Sequence, residues 1–314
     1  MNLPEGYTAR SAVGHDLDAV AALWDAWDLA YFGETDGSNR VGLQYEWGSP
    51  WVDLERDTRV VQMGDGTLAA YVFDAKRDPG DRFDVGAVVH PAHEGRGIGS
   101  AILAWTEEKS RAQLAPSMSM PLWNATGAPN EGGIRLFEAH GYRHVRTFRQ
   151  MVIDLDPSFE AGPAPGNVTV RGYVEGADDR AAHAVLDEAF STHFGYISEP
   201  FEEWWEHQRA DETFDPSLGF VAEAEGQVVG ASINGSIDGT GWIYEIGVGQ
   251  AWQRRGIGRA LVRHSFALFA AAGVKVARLG VDTENVKDAL GLYRSVGMRE
   301  AREWRVFEKR IEAD

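Results

Sequence analysis

Apolar residues recur along this chain in two rhythms, and the same series of rhythms runs through it twice. Near the start of each half an alternating segment ends at Arg10 or Arg171. Helical spacing follows, in Asp16-Leu-Asp-Ala-Val-Ala-Ala-Leu-Trp24 and in Asp178-Asp-Arg-Ala-Ala-His-Ala-Val-Leu186. An Asp opens each of these helices and is the expected N-cap. After an aromatic-rich stretch come two short apolar runs split by turn residues. These are Arg59-Val-Val-Gln-Met63 and Leu68-Ala-Ala-Tyr-Val-Phe73 around Gly64-Asp-Gly66, then Gly219-Phe-Val-Ala-Glu-Ala224 and Gln227-Val-Val-Gly-Ala-Ser232 around Glu225-Gly226. Each reads as a hairpin. A further strand, a glycine-rich turn, a helix, a strand (Lys275–Val281 in the second half), another helix and a closing strand complete each series. The pattern predicts two α/β (α+β) domains, each a mixed, mostly antiparallel sheet flanked by helices.

The glycine turns are the most informative segments. Val248-Gly-Gln-Ala-Trp-Gln253-Arg254-Arg255-Gly256-Ile257-Gly258 runs from a strand into a helix, and Val89-His-Pro-Ala-His-Glu94-Gly95-Arg96-Gly97-Ile98-Gly99 stands 159 residues before it. Backbone N–H groups at a helix N-terminus, backed by the helix dipole, attract anionic oxygens, and glycines let a ligand approach the main chain. A dinucleotide-binding loop is excluded by spacing. Neither copy is G-x-G-x-x-G, neither follows a first strand, and no acidic residue closes a second strand about twenty residues on.

Between the repeats, Asp156-Pro-Ser-Phe-Glu-Ala-Gly-Pro-Ala-Pro-Gly-Asn167 holds three prolines and two glycines and reads as an exposed connector. The expected division is therefore a domain over 1–157, a linker over 158–166 and a domain over 167–314. At 314 residues each half can hold its own core. A net charge of −18 argues against a nucleic-acid partner, which needs a basic surface, and leaves cationic acceptors open. With no cysteine, disulfides, thiolate metal sites and a thiol nucleophile are excluded. The nine histidines are scattered and show no zinc spacing of note, and no metal is expected. No apolar run approaches membrane-span length and the first residues lack a signal-peptide pattern, so a cytoplasmic protein is expected; a monomer or homodimer is the expected state.

Gln253 to Gly258 resembles the (Gln/Arg)-x-x-Gly-x-(Gly/Ala) signature of the GNAT N-acetyltransferase superfamily. Asn285-Val-Lys-Asp-Ala289-Leu-Gly-Leu292-Tyr293-Arg-Ser-Val-Gly297-Met298 resembles its second signature, with Met in place of a terminal Phe. The resemblance implies acetyl-CoA as cosubstrate and direct attack of a primary amine, in a small molecule or a peptide, on the thioester; a non-catalytic acyl-CoA-binding regulatory protein is the alternative. It assigns Val248, Gln253, Arg254, Arg255, Gly256, Ile257, Gly258 and Asn285 to acetyl-CoA binding, Asn285 alternatively to helix capping. Tyr293 becomes the acid that protonates the departing thiolate; a phenol near pKa 10 is protonated at neutral pH. Packing on the helix's apolar face, with Ala289, Leu292 and Val296, is the competing role for that ring.

The first copy departs where chemistry matters. Glu94 replaces the Gln, setting a carboxylate beside the expected diphosphate. Phe137 stands where Tyr is needed, and its motif, Asn130 to Gly141, is one residue short. That half reads as a structural or ligand-binding copy. Tandem arrangement, Ala189-Phe-Ser-Thr-His193, Trp204, Arg209 and Phe214-Asp-Pro-Ser-Leu218 also resemble the mycothiol synthase family, which acts on a cysteinyl amino-sugar. That family's base lies six residues before the Val of the glycine-turn strand, where this chain has Trp242. Glu245 is the nearest replacement, provided that a bulge turns it toward the cleft. His193 and Trp204 are the expected acceptor contacts, with the amphipathic helix around Trp204 as the plainer reading.

Overall fold

The computed structural model describes residues 1–49, 51–76, 80–210, 213–284 and 289–313. The first series comprises β1 (Tyr7–Arg10), α1 (Leu17–Phe32), α2 (Ser38–Gly48), α3 (Leu54–Asp57), β2 (Thr58–Met63), β3 (Leu68–Lys76), β4 (Phe83–Val89), α4 (Ile98–Ala112), β5 (Ser119–Gly127), α5 (Glu131–Ala139) and β6 (Arg143–Asp154). The second comprises β7 (Thr169–Gly172), α6 (Asp179–Phe190), α7 (Phe201–Ala210), β8 (Phe220–Ala224), β9 (Gln227–Ile237), β10 (Thr240–Val248), α8 (Ile257–Ala271), β11 (Val276–Asp282), α9 (Ala289–Ser295) and β12 (Arg299–Glu312). Among the described residues, no helix is long and apolar enough to cross a membrane.

Two compact units result, and they do not follow the division at 158–166. One is Met1–Thr147 with Glu303–Asp314, and the other is Phe148–Arg302. In the first, strands lie in the order β1-β2-β3-β4-β5-β12, and Trp304–Glu312 of β12 pair antiparallel with Gly127–Ser119 of β5. In the second the order is β6-β11-β10-β9-β8-β7, and Phe148–Asp154 of β6 pair antiparallel with Asp282–Val276 of β11. Each sheet is thus closed by the last strand of the other half. A repeat shows that each half ends in a strand but carries no information about which sheet that strand joins.

Both units are mixed sheets with helices on their faces, antiparallel except where β4 meets β5 and β10 meets β11. In the second unit α8 buries Ile257, Leu261, Val262, Phe266 and Phe269, each at 1% exposure or less. At roughly 2 kcal/mol per buried side chain this face contributes about 10 kcal/mol as an upper estimate, which fixes α8 and the glycine turn at its head on the sheet.

Two local expectations are corrected. Asp16 and Asp178 stand at helix starts, but neither side chain caps its helix. Arg10 and Arg171 instead grip these carboxylates through two nitrogens each, at 2.6 and 2.8 Å in both cases, and the Val13 and Val174 N–H groups donate to them. A bidentate charged partner outcompetes a helix amide. The connector around 158–166 is not wholly free. Phe159 packs edge-on against Phe266, and the Arg263 guanidinium donates to the carbonyls of Glu160 and Ala161 at 2.7 Å each.

Candidate active site

The cleft of the second unit begins where two parallel strands part. Thr240–Ile243 of β10 pair with Val276–Leu279 of β11, and the pairing stops there. On its other edge β10 changes register against β9 between Ile243 and Glu245, which makes Tyr244 the extra residue of a β-bulge. The bulge bends the strand away from β11. Beyond it opens a cleft of about 560 Å³.

One end of the cleft is the glycine turn. Arg254 at φ +64° and Gly256 at φ +85° turn the chain into α8, and the Gln253 side-chain amide donates to the Val248 carbonyl at 2.9 Å. That bond spans the turn and leaves one carbonyl lone pair open. Val248, Gln253, Arg254, Gly256, Ile257 and Gly258 all line the cleft. Arg255 does not line it. It donates to the Ala251 carbonyl at 3.0 Å and lies 4.7 Å over the Trp252 ring, bracing the turn from outside. A Cβ on Gly258 would come within 3.4 Å of Leu292, so a small residue there lets α9 pack closely against the turn.

Tyr293, at 7% exposure, packs in the core and also faces the cleft. Its ring belongs to the core cluster with Phe266, Leu279 and Val296. Burial pushes its phenol up to about 12. Asn285 lies outside the described residues.

Glu245 is the first residue after the bulge, lies beneath α7, and is not among the cleft-lining residues. One carboxylate oxygen accepts both the Trp204 indole N–H at 3.2 Å and the Gln208 amide at 2.7 Å. Burial raises its pKa, and the two donors partly offset that. Trp204 is thereby corrected: at 7% exposure it is a core residue and holds Glu245 instead of facing the cleft. Helical spacing announced α7 but not which strand residue lies under it. Trp242 keeps its indole nitrogen buried and without a hydrogen-bond partner.

His193 does line the cleft, packed edge-on to Phe190 with centroids 4.6 Å apart. Around it stand Phe190, part of the Ala189–His193 segment already singled out, and residues that the sequence reading passed over, namely Phe194, Tyr196, Tyr244 and Phe148. Tyr196 donates to Asp187 at 2.8 Å, and the hydroxyls of Tyr244 and Thr213 are 2.6 Å apart. The aromatic residues just after α6 were a usable signal for Phe194 and Tyr196. Phe148 arrives on the exchanged strand, for which no signal existed.

The first unit has a counterpart cleft of about 440 Å³. Gly95 and Gly97 are left-handed there, at φ +72° and +88°, and Arg96 donates to the Ala92 carbonyl at 3.0 Å, as Arg255 does to Ala251. The turn keeps its backbone shape, while Glu94 and Phe137 line the cleft in place of Gln and Tyr. Among the described residues no group of three His, Asp or Glu could hold a metal ion.

These features agree with what the chain resembles. The model of the Acetyltransferase (GNAT) family matches residues 20–142 and 182–298. A mycothiol acetyltransferase of Kineococcus radiotolerans is 33% identical over 315 residues, spanning 95% of this chain and 95% of its own. A crystal structure of a GCN5-related N-acetyltransferase from Sphaerobacter thermophilus aligns with a TM-score of 0.84 at 32% identity, over 99% of this chain and 98% of its own. A tandem GNAT protein from the clavulanic acid biosynthesis pathway shares the fold, with a TM-score of 0.70 at 16% identity over 98% and 99% of the two chains. With two family matches in series, each over a sheet parted at a glycine turn, the chain belongs to the GNAT acetyltransferase family and is an acyltransferase of two tandem GNAT regions.

Proposed function

We propose that the second unit transfers acetyl from acetyl-CoA to a primary amine, and that the first unit carries no chemistry. The observation that supports this most is that the glycine turn and Tyr293 open onto one cleft, whereas the counterpart cleft offers Glu94 and Phe137. Acetyl-CoA, when bound, supplies the acetyl group as an activated thioester. The backbone N–H groups from Arg254 to Gly258, at the head of α8, suit its diphosphate, and the Val248 main chain lies alongside the expected pantetheine path.

An alkyl ammonium near pKa 10.4 is neutral in only about one molecule in a few thousand at pH 7, so a proton acceptor is needed. Glu245 takes that proton, through water across the bulge. Its raised pKa makes it a stronger base than an ordinary carboxylate while the clamp from Trp204 and Gln208 fixes its position. Tyr293 gives a proton to the departing sulfur. A phenol near 12 is a weak donor to a solvated thiolate, but the burial that raised Tyr293 raises a thiol in the same cleft as well, which narrows the gap. The acceptor enters past His193 and the aromatic wall.

A second reading, transfer to a cysteinyl amino-sugar, draws on the end-to-end similarity to the Kineococcus mycothiol acetyltransferase. Trp242, where that family's base is expected, counts against it. CoA release measured over a panel of alkyl, aromatic and cysteinyl-sugar amines decides. Turnover with simple amines supports the first reading, and turnover confined to the cysteinyl sugar supports the second. No release with any amine rejects both.

A further inference from the structure

We propose that the cleft of the first unit is a binding site for an organic ammonium ion. Two features set this cleft apart from that of the second unit, whose aromatic wall is built of Phe148, Phe190, Phe194, Tyr196 and Tyr244. The first is its walls. Trp24 and Trp27 of α1 and Trp304 of β12 all line it. Trp27 stacks on Trp304 with centroids 5.4 Å apart and planes 23° apart, meets Trp24 at 6.2 Å and packs against Tyr31 at 4.8 Å. Counting from the paired aspartates Asp16 and Asp178, the second unit carries Leu186 and Ala189 where the first has Trp24 and Trp27. The indoles are therefore not a requirement of the fold.

The second feature is charge. Glu94 stands at the mouth, and the Tyr31 hydroxyl donates to one of its oxygens at 2.7 Å, which holds the carboxylate at the cleft and leaves its other oxygen for a ligand. A diphosphate at this turn would meet that charge. A cation is attracted by it, and also by the negative faces of indole rings within about 6 Å. Neutral apolar molecules gain from the walls alone, and anions are opposed at the entrance. The volume of about 440 Å³ falls within the range of small-molecule sites. An ammonium is also the form in which an amine acceptor exists in solution, so both clefts select one chemical class. A quaternary ammonium has no N–H to acylate, which separates binding here from turnover in the second unit.

The test uses the full chain labelled with fluorotryptophan, with the ¹⁹F resonances of Trp24 and Trp304 assigned from Trp24→Phe and Trp304→Phe. Choline is the probe, and 3,3-dimethylbutan-1-ol, its uncharged carbon isostere, is the control. Choline should move both resonances with half-saturation on the order of millimolar, and the isostere should bind at least roughly threefold more weakly. Glu94→Gln, at an exposed position, should weaken choline by about three- to tenfold while the isostere is unaffected. The proposal is overturned if choline leaves both resonances in place. It is also overturned if choline and the isostere bind equally in wild type and Glu94→Gln, or if CoA moves the two resonances in wild type at lower concentration than choline does.

Discussion

Cutting the chain at the repeat boundary should unfold the second half, and cutting it at the unit boundary should not. A fragment of residues 167–314 keeps both family signatures but loses β6, the strand that closes its sheet along Val276–Asp282. Met151 and Val152 are buried at 0% and 2%, and Ile153 and Phe159 pack against the core cluster that contains Met151. At about 1.5–3 kcal/mol for each fully buried side chain and less for the partly buried pair, the loss is about 5–9 kcal/mol before the ladder hydrogen bonds are counted. Domains of this size have about 5–15 kcal/mol in total. The fragment 167–314 should therefore be unfolded or near its midpoint without denaturant. Residues 148–302 retain all six strands of the second sheet and should unfold cooperatively. Urea titrations followed by circular dichroism, with amide dispersion by NMR, compare the two. Equal stability of both fragments, or an unfolded 148–302, would refute the exchange of closing strands.

Further outcomes follow from single side chains. The base proposed at Glu245 would act only when ionised, and its pKa is raised, so kcat/KM should rise with pH through a limb above the ordinary carboxylate range near 4.3, and Glu245→Gln should abolish that limb. Gln208→Leu removes a donor to the ionised form and should move the limb to higher pH without changing acetyl-CoA affinity; an unmoved limb would remove Glu245 from the titration. Glu46 accepts the Tyr71 hydroxyl at 2.7 Å, and burial pushes its carboxyl up to about 7. A carboxyl raised on folding costs stability as pH rises from its unfolded value through its folded one. Glu46→Gln should accordingly stabilise the chain by about 2–3 kcal/mol at pH 8 and by little at pH 4.5, measured by urea unfolding at both. In a Phe137→Tyr, Tyr293→Phe double variant acetyl transfer should stay at the level of Tyr293→Phe alone, because Glu94 still faces the first turn; substantial activity would make the first unit an enzyme lacking only a proton donor.

The glycine turns, hairpins and helices were legible because each depends on residues within about fifteen positions of one another. Glu225 and Gly226, both left-handed, are a turn that two residues announce by themselves. The exchange of β6 and β12 was not legible, since Phe148–Asp154 and Arg299–Glu312 each have the alternation of a closing strand and would fit either sheet. Within the site, Gly256, Gly258 and Tyr293 were readable from spacing. Trp204 was misplaced because amphipathicity marks a buried face without naming the strand residue beneath it, here Glu245. Arg255 was read with the acetyl-CoA-binding residues, yet its guanidinium is engaged by the Ala251 carbonyl and the Trp252 indole.

Tyr293→Phe in the full chain tests the central assignment most directly, because it removes one hydroxyl and keeps the ring that the core needs. With an amine acceptor under conditions where chemistry limits the rate, kcat should fall by roughly 10- to 10⁴-fold while the dissociation constant for acetyl-CoA stays nearly constant. Wild-type kcat in this variant, or a loss that appears only in acetyl-CoA affinity, would contradict a proton donor in the second cleft.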